Sequence, residues 1–147
     1  MFMGEYHHSI DDKGRLIIPS KFRNELGESF VITRGLENCL FVYSLVEWNK
    51  IVDKLKKLPF TKRDARNFSR FFLSGAIVCE LDKQGRVNIS SPLAEFAKLD
   101  KDCIIVGVND RLEIWSKSNW EEFFNSNSDK LSDIAENLFI GDIDLDI

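Results

Sequence analysis

Apolar and polar residues alternate with period two over several short stretches of the chain. Tyr6, His8 and Ile10 alternate with His7 and Ser9, which predicts an entering strand over 1–10. In Arg15-Leu16-Ile17-Ile18 the same period puts Leu16 and Ile18 on one face and Arg15 on the other. Phe30 to Thr33 and Leu40 to Tyr43 are apolar runs on either side of a glycine turn at Gly35, and they predict two more strands. Helical spacing then takes over. Ser44 and Glu47 form a capping box ahead of Trp48, Ile51, Val52, Leu55 and Leu58, and Pro59 ends that helix. A second box, Thr61 to Asp64, precedes Ala65, Phe68 and Phe72, so 45–58 and 61–73 predict a helical hairpin.

This order of elements is written twice. Asp11, Gly14, Arg15, Ile18 and Ser20 recur 71 positions later as Asp82, Gly85, Arg86, Ile89 and Ser91. Gly35, Leu40, Ser44 and Trp48 recur 72 positions later as Gly107, Leu112, Ser116 and Trp120. Ala76 to Leu81 is the second entering strand, and Cys103 to Val106 and Leu112 to Trp115 flank a second glycine turn at Gly107. Ser118 to Glu121 caps a second Trp-bearing helix with Phe123 and Phe124, and a polar Asn-Ser-Asn-Ser link follows. Leu131, Ile134, Ala135 and Leu138 predict a last amphipathic helix before a loose acidic tail, Gly141 to Ile147.

The pattern predicts an α+β protein of tandem-duplicated β-rich units with attached short helices and a helical hairpin between the copies. Its segments are a first half at 1–58, a connecting helix at 59–75, a second half at 76–125, and a C-terminal helix and acidic tail at 126–147. Either half alone is too short to bury a sufficient core, so the two are expected to share one.

The chemistry concentrates where the repeat is strictest. Gly14 and Gly85 sit between polar residues and an alternating run, where a tight turn needs positive φ. Asp11 and Asp82 are placed to accept turn amides or to pair with an arginine. Arg15 and Arg86 open the strands that follow, and an arginine held there can grip a phosphate or fork onto a guanine edge. Each strand leads into a short helix. In the first copy Ser20 is the predicted cap and Gly27 the terminator, with Phe22 and Leu26 facing the core and Lys21 and Arg23 on the open side. The second copy opens with Ser91-Pro92 and has Leu93 and Ala94 in place of Phe22 and Arg23. It also has the neutral Gln84 in place of Lys13, with its basic residue displaced to Lys83. The halves are therefore not expected to present equal charge.

An acidic residue, a Gly-Arg pair, a short strand and a small helix, written twice with a Trp-bearing helix after each, resemble the MraZ family of bacterial transcription regulators. Met1-Phe2-Met3-Gly4 and the Leu112-Glu113-Ile114-Trp115 run add to the resemblance, which spans nearly the whole chain. It implies two AbrB/SpoVT-like swapped-hairpin units forming a double-split β-barrel, assembly of copies into a ring, and binding to repeated boxes of double-stranded DNA upstream of cell-division and cell-wall genes. It further implies DNA contact by Arg15 and Arg86, to which Lys13, Lys83, Lys21 and Arg23 are added as flanking basic residues.

Composition narrows the alternatives. Net charge is −4, but residues 126–147 hold six acids against Lys130, a net of −5, which leaves the preceding 125 residues at +1. DNA binding then requires the basic residues to be sorted onto one face. Lys50, Lys54, Lys56, Lys57, Lys62, Arg63, Arg66 and Arg70 form the most basic stretch, read as a solvated outer helix face or as a DNA or subunit contact. Phe68, Phe71 and Phe72 exceed one buried face, which points to subunit packing.

Cys39, Cys79 and Cys103 form no CxxC pair and read as buried reduced thiols. His7 and His8 point to opposite faces of a strand and cannot share a metal without a third ligand. With no metal spacing and no nucleophile, phosphate-loop or dinucleotide motif, neither an enzyme nor a cofactor or small-molecule substrate is expected. No run reaches the roughly 18 apolar residues of a membrane span and no leader is read at the start, so the expected location is cytoplasmic, at the nucleoid. The competing class is a self-assembling interaction module that does not bind DNA.

Overall fold

The computed structural model describes residues 1–138. Residues 1–117 form one compact unit, and the second unit begins at Ser118. The first copy supplies β1 (Phe2–Ser9), β2 (Arg15–Ile17), α1 (Ser20–Leu26), β3 (Ser29–Arg34), β4 (Leu40–Ser44) and α2 (Leu45–Lys56). After α3 (Arg63–Ser74), the second copy supplies β5 (Ile77–Glu80), β6 (Arg86–Asn88), α4 (Ser91–Phe96), β7 (Asp102–Asn109), β8 (Arg111–Ser116) and α5 (Lys117–Asn127), and α6 (Leu131–Leu138) follows.

The copies exchange strands. A six-stranded sheet runs in the order β1-β7-β8-β4-β3-β5, and a second sheet contains only β2 and β6. The entering strand of the first copy pairs with the hairpin of the second, from Phe2↔Asn109 to Ser9↔Asp102. The entering strand of the second pairs with the hairpin of the first, from Ser29↔Glu80 to Ile32↔Ile77. The hairpins themselves join through β4 and β8. The core between the two sheets is accordingly common to both halves. Leu16 and Ile18 from one copy and Val87 and Ile89 from the other meet Phe22, Leu26, Leu93 and Ala97 there. Each fully buried Leu, Ile or Phe of this kind contributes about 1.5–3 kcal/mol. Phe22 holds β1 by edge contacts to Phe2 and Tyr6, with ring centroids 5.6 and 5.2 Å apart.

Strands β3 and β4 read as unbroken apolar runs because both of their faces are covered. Phe30, Ile32, Leu40 and Val42 face the shared core. On the opposite face Tyr43 packs against Trp48 of α2 and Phe72 of α3, whose rings stack on each other at 5.6 Å. The buried Thr33 hydroxyl donates to the Phe72 carbonyl at 2.6 Å and ties α3 to the sheet. The hairpin predicted over 45–73 is therefore present. Phe68 stacks on Phe72, and Phe71 packs edge-on against Phe96 beneath the Arg34 guanidinium. The phenylalanine surplus is thus largely used within the chain.

Several local expectations are corrected. Pro19, not Ser20, stands at the cap of α1, and Ser90, not Ser91, at that of α4; these two extended residues are equivalent in the repeat, and neither makes a side-chain cap bond. Thr61 falls one residue short of α3, which begins after Lys62. Ser44 accepts the Glu47 amide as expected, but the Glu47 carboxylate pairs with Lys50 at 3.0 Å instead of reaching back. Gly107 is not a turn. It lies inside β7 opposite Gly4, where a Cβ would run into the backbone of Phe2 and Met3; the reversal comes two residues later at Asn109, with φ +63°. The Trp120 helix starts at Lys117, as α2 starts right after Ser44, so Ser118 lies within it.

In the second unit the Asn125–Asn127 stretch remains helical, and only Ser128–Lys130 narrows into a 3-10 turn before α6. Trp120 contacts Phe123 and Phe124 there. The acidic tail from Gly141 to Ile147 lies outside the described residues.

Candidate nucleic-acid interface

The two Gly-Arg turns have the same geometry. Gly14 and Gly85 adopt φ +79° and +77°, and each donates its N–H to the carbonyl of the preceding aspartate, Asp11 or Asp82, at 3.0 Å. Asp11 Oδ1 accepts the backbone N–H of Lys13 at 3.0 Å and of Arg15 at 2.8 Å, and its Oδ2 accepts Arg15 Nε at 2.7 Å. Asp82 repeats this with Gln84 and Arg86, both at 2.9 Å, and with Arg86 Nε at 2.8 Å. Each carboxylate therefore takes both roles read from the sequence: one oxygen builds the turn and the other clamps the guanidinium. Both carboxyls sit below the ordinary aspartate value of 3.8, chiefly because the backbone N–H of the following arginine favours the charged form.

Pairing then brings the turns together. β2 and β6 run antiparallel with Arg15↔Asn88, Leu16↔Val87 and Ile17↔Arg86. Ile18 N–H donates to the Gly85 carbonyl at 2.9 Å and Ile89 N–H to the Gly14 carbonyl at 2.8 Å, so each turn is fastened to the strand of the other copy. Leu16 and Val87 point into the core. The alternation sends Arg15, Ile17, Arg86 and Asn88 to the outward face. Arg15 and Arg86 are diagonal neighbours on this ribbon, which sets their Cα atoms about 7–8 Å apart. With Nε committed to aspartate, Nη1 and Nη2 of both arginines have no hydrogen-bond partner among the described residues, and the side chains are about a third and a quarter exposed.

Lys13 and Lys83 are exposed within the two turns, and Lys21 is exposed in the first turn of α1. Arg23 is placed differently. It is half-buried, its Nε donates to the Ile18 carbonyl at 2.9 Å, and its guanidinium covers Gly85 so closely that a Cβ there would overlap it. Ala94 leaves the other turn without such a cover. Ile17 and Asn88 share this outward face and have no role in the sequence analysis; the same alternation that places Arg15 outward carries the signal.

The basic stretch from Lys50 to Arg70 lies on the exposed faces of α2 and α3 and the loop between them, with Arg66 partly covered and donating to the Phe60 carbonyl. Among the described residues no His, Cys, Asp or Glu cluster is arranged to hold a metal. Cys39 and Cys103 are buried, and burial pushes their thiols up to about 12 and about 11; Cys79 is half-buried and is raised for the same reason.

A model of the MraZ protein family matches the chain twice in succession, over residues 1–71 and 72–140, in step with the 71-residue repeat. The chain belongs to the MraZ family. Its fold is a pair of AbrB/SpoVT-like swapped-hairpin units. The chain is 62% identical over 138 residues to the transcriptional regulator MraZ of Caldanaerobacter subterraneus subsp. tengcongensis, which covers 94% of this chain and 96% of that relative. It is 61% identical, with the same coverage, to the transcriptional regulator MraZ of a Thermoanaerobacter species.

Proposed function

We propose that this transcriptional regulator reads double-stranded DNA with the outward face of the β2–β6 ribbon and acts as a homo-oligomeric ring on repeated DNA boxes upstream of cell-division and cell-wall genes. One observation carries the reading: two aspartate-clamped arginines share one exposed ribbon face with their terminal nitrogens unspent. The major groove admits a two-stranded ribbon, and a fixed guanidinium suits a guanine edge or a phosphate. Lys13, Lys83 and Lys21 supply flanking phosphate contacts. Arg23 is a lesser contact, since part of its donor capacity is used within the fold.

Assembly supplies the affinity that charge does not. A protomer whose first 125 residues carry a net charge of only +1 holds DNA weakly, whereas subunits engaging successive boxes gain about 10²–10⁴ by effective concentration. Phe60, Val78 and Val46, which are 81%, 67% and 66% exposed, are among the apolar side chains available to join subunits. No cofactor or small-molecule substrate enters this function. Among the described residues no helix is long and apolar enough to cross a membrane, and the proposed site of action is the nucleoid, in the cytoplasm.

The net charge of −4 favours a second reading, a self-assembling module without DNA binding. Titration against duplexes carrying one, two and three boxes, with the mass in solution measured in parallel, separates the two. The regulator is expected to be an oligomer whose affinity rises steeply with box number. A monomer that binds one box as tightly as three would overturn the ring, and an oligomer with no affinity for any duplex would establish the second reading.

A further inference from the structure

The outward face of the ribbon has four corners, and only two of them are arginines. The approximate twofold relation between the copies exchanges Arg15 with Arg86, and it also exchanges Ile17 with Asn88. The arginines are chemically equal; the other two corners are not. Asn88 is exposed and its amide has no hydrogen-bond partner among the described residues, although its Oδ1 lies beside the Gly14 turn. Ile17 is 38% exposed, while Leu16 and Ile18 on either side are fully buried. Neither side chain is spent on the fold.

We propose that Ile17 and Asn88 are specificity-determining residues that give DNA recognition a direction. This rests on the reading of the ribbon as the DNA-binding face. The two outward rungs, Arg15 with Asn88 and Ile17 with Arg86, stand two residues apart along the strands, about 6.8 Å. That equals two base-pair steps of about 3.4 Å, so the two rungs reach different base pairs; where Asn88 or Ile17 takes an A·T pair, the arginine of the same rung takes a neighbouring guanine or a phosphate. An asparagine amide offers a donor and an acceptor on one edge, which matches N6 and N7 of adenine in the major groove. An aliphatic side chain offers neither and selects the thymine methyl group by contact. With equivalent arginines on one diagonal and inequivalent readers on the other, the preferred site reads differently in its two orientations.

Selection from a pool of randomised duplexes tests this with the wild-type chain, Asn88→Ile, Asn88→Ala, Ile17→Asn and the Arg15→Ala/Arg86→Ala pair, each checked for an unchanged melting temperature. Both Asn88 variants are expected to lose adenine discrimination at one position by roughly 5- to 150-fold and to leave the other positions alone. Ile17→Asn is expected to gain adenine at the symmetry-related position, which makes the selected site more nearly palindromic. If the arginine pair abolishes binding while the Asn88 and Ile17 variants select the wild-type site, the direction-reading role is overturned and the DNA-binding face stands. If the arginine pair selects the wild-type site with wild-type affinity, the face itself is wrong and this assignment falls with it.

Discussion

Asp11 holds Arg15 twice, through the backbone N–H at 2.8 Å and through Nε at 2.7 Å, with a separate carboxylate oxygen for each. Asp82 holds Arg86 in the same way. Turn geometry and arginine orientation are thereby set by one side chain per copy, and the two roles separate by mutation. Asparagine keeps an oxygen for the turn amides but presents an NH₂ to Nε. Asp11→Asn with Asp82→Asn is therefore expected to fold with a melting temperature lowered only by what the charge contributes and to bind DNA more weakly, whereas the alanine pair, which loses the turn bonds as well, should fall further. Calorimetry beside a binding titration distinguishes the two results.

The same aspartates set a pH dependence. Their folded pKa values lie below 3.8, so the stability they contribute is fully present above the unfolded value and is lost as pH falls through the folded one. Urea midpoints measured from pH 5 to pH 2 should fall below about pH 3.8. The Asp11→Asn/Asp82→Asn chain should lose part of that fall while matching the wild-type trend above it.

Salt dependence tests the unequal copies. Lys13→Gln makes the first turn resemble the second, and loss of one phosphate contact should reduce the slope of log affinity against log salt by about 0.9. An unchanged slope would mean that Lys13 is only solvated.

A stability prediction lies away from the ribbon. Buried Glu113 accepts Arg111 Nη2 at 2.7 Å and Trp115 Nε1 at 3.0 Å, and the Arg111 guanidinium lies 4.4 Å from the Phe41 ring centroid. Removing one partner of a buried pair typically costs 3–5 kcal/mol; with Arg111 about a quarter exposed, Glu113→Ala should cost about 3 kcal/mol in urea unfolding. DNA affinity per folded molecule should not change.

The repeat, the Gly14 and Gly85 turns, the strand faces and the helical hairpin are legible because each rests on local period or on a backbone requirement. The arginine clamp was legible as two alternatives, and the carboxylate, having two oxygens, satisfies both. The helix caps at Pro19, Ser90 and Lys62 were missed by one residue, since these extended residues define the cap without a side-chain bond. Gly107 lies inside β7 and not at a turn, since close approach of β1 and a turn ask for the same residue. The half-buried position of Arg23 is not legible in the sequence, because its contact with Gly85 crosses between copies and no local pattern reports such a contact.

The most direct test of the DNA-reading face is the affinity of Arg15→Ala/Arg86→Ala for the duplex that the wild-type protein retains from a random pool, measured beside melting temperature and oligomer mass. Native folding and assembly are expected, with binding weakened by about 1–3 kcal/mol for each arginine that grips a base. A folded, fully assembled double variant that binds this duplex as tightly as the wild type would contradict this reading of the face.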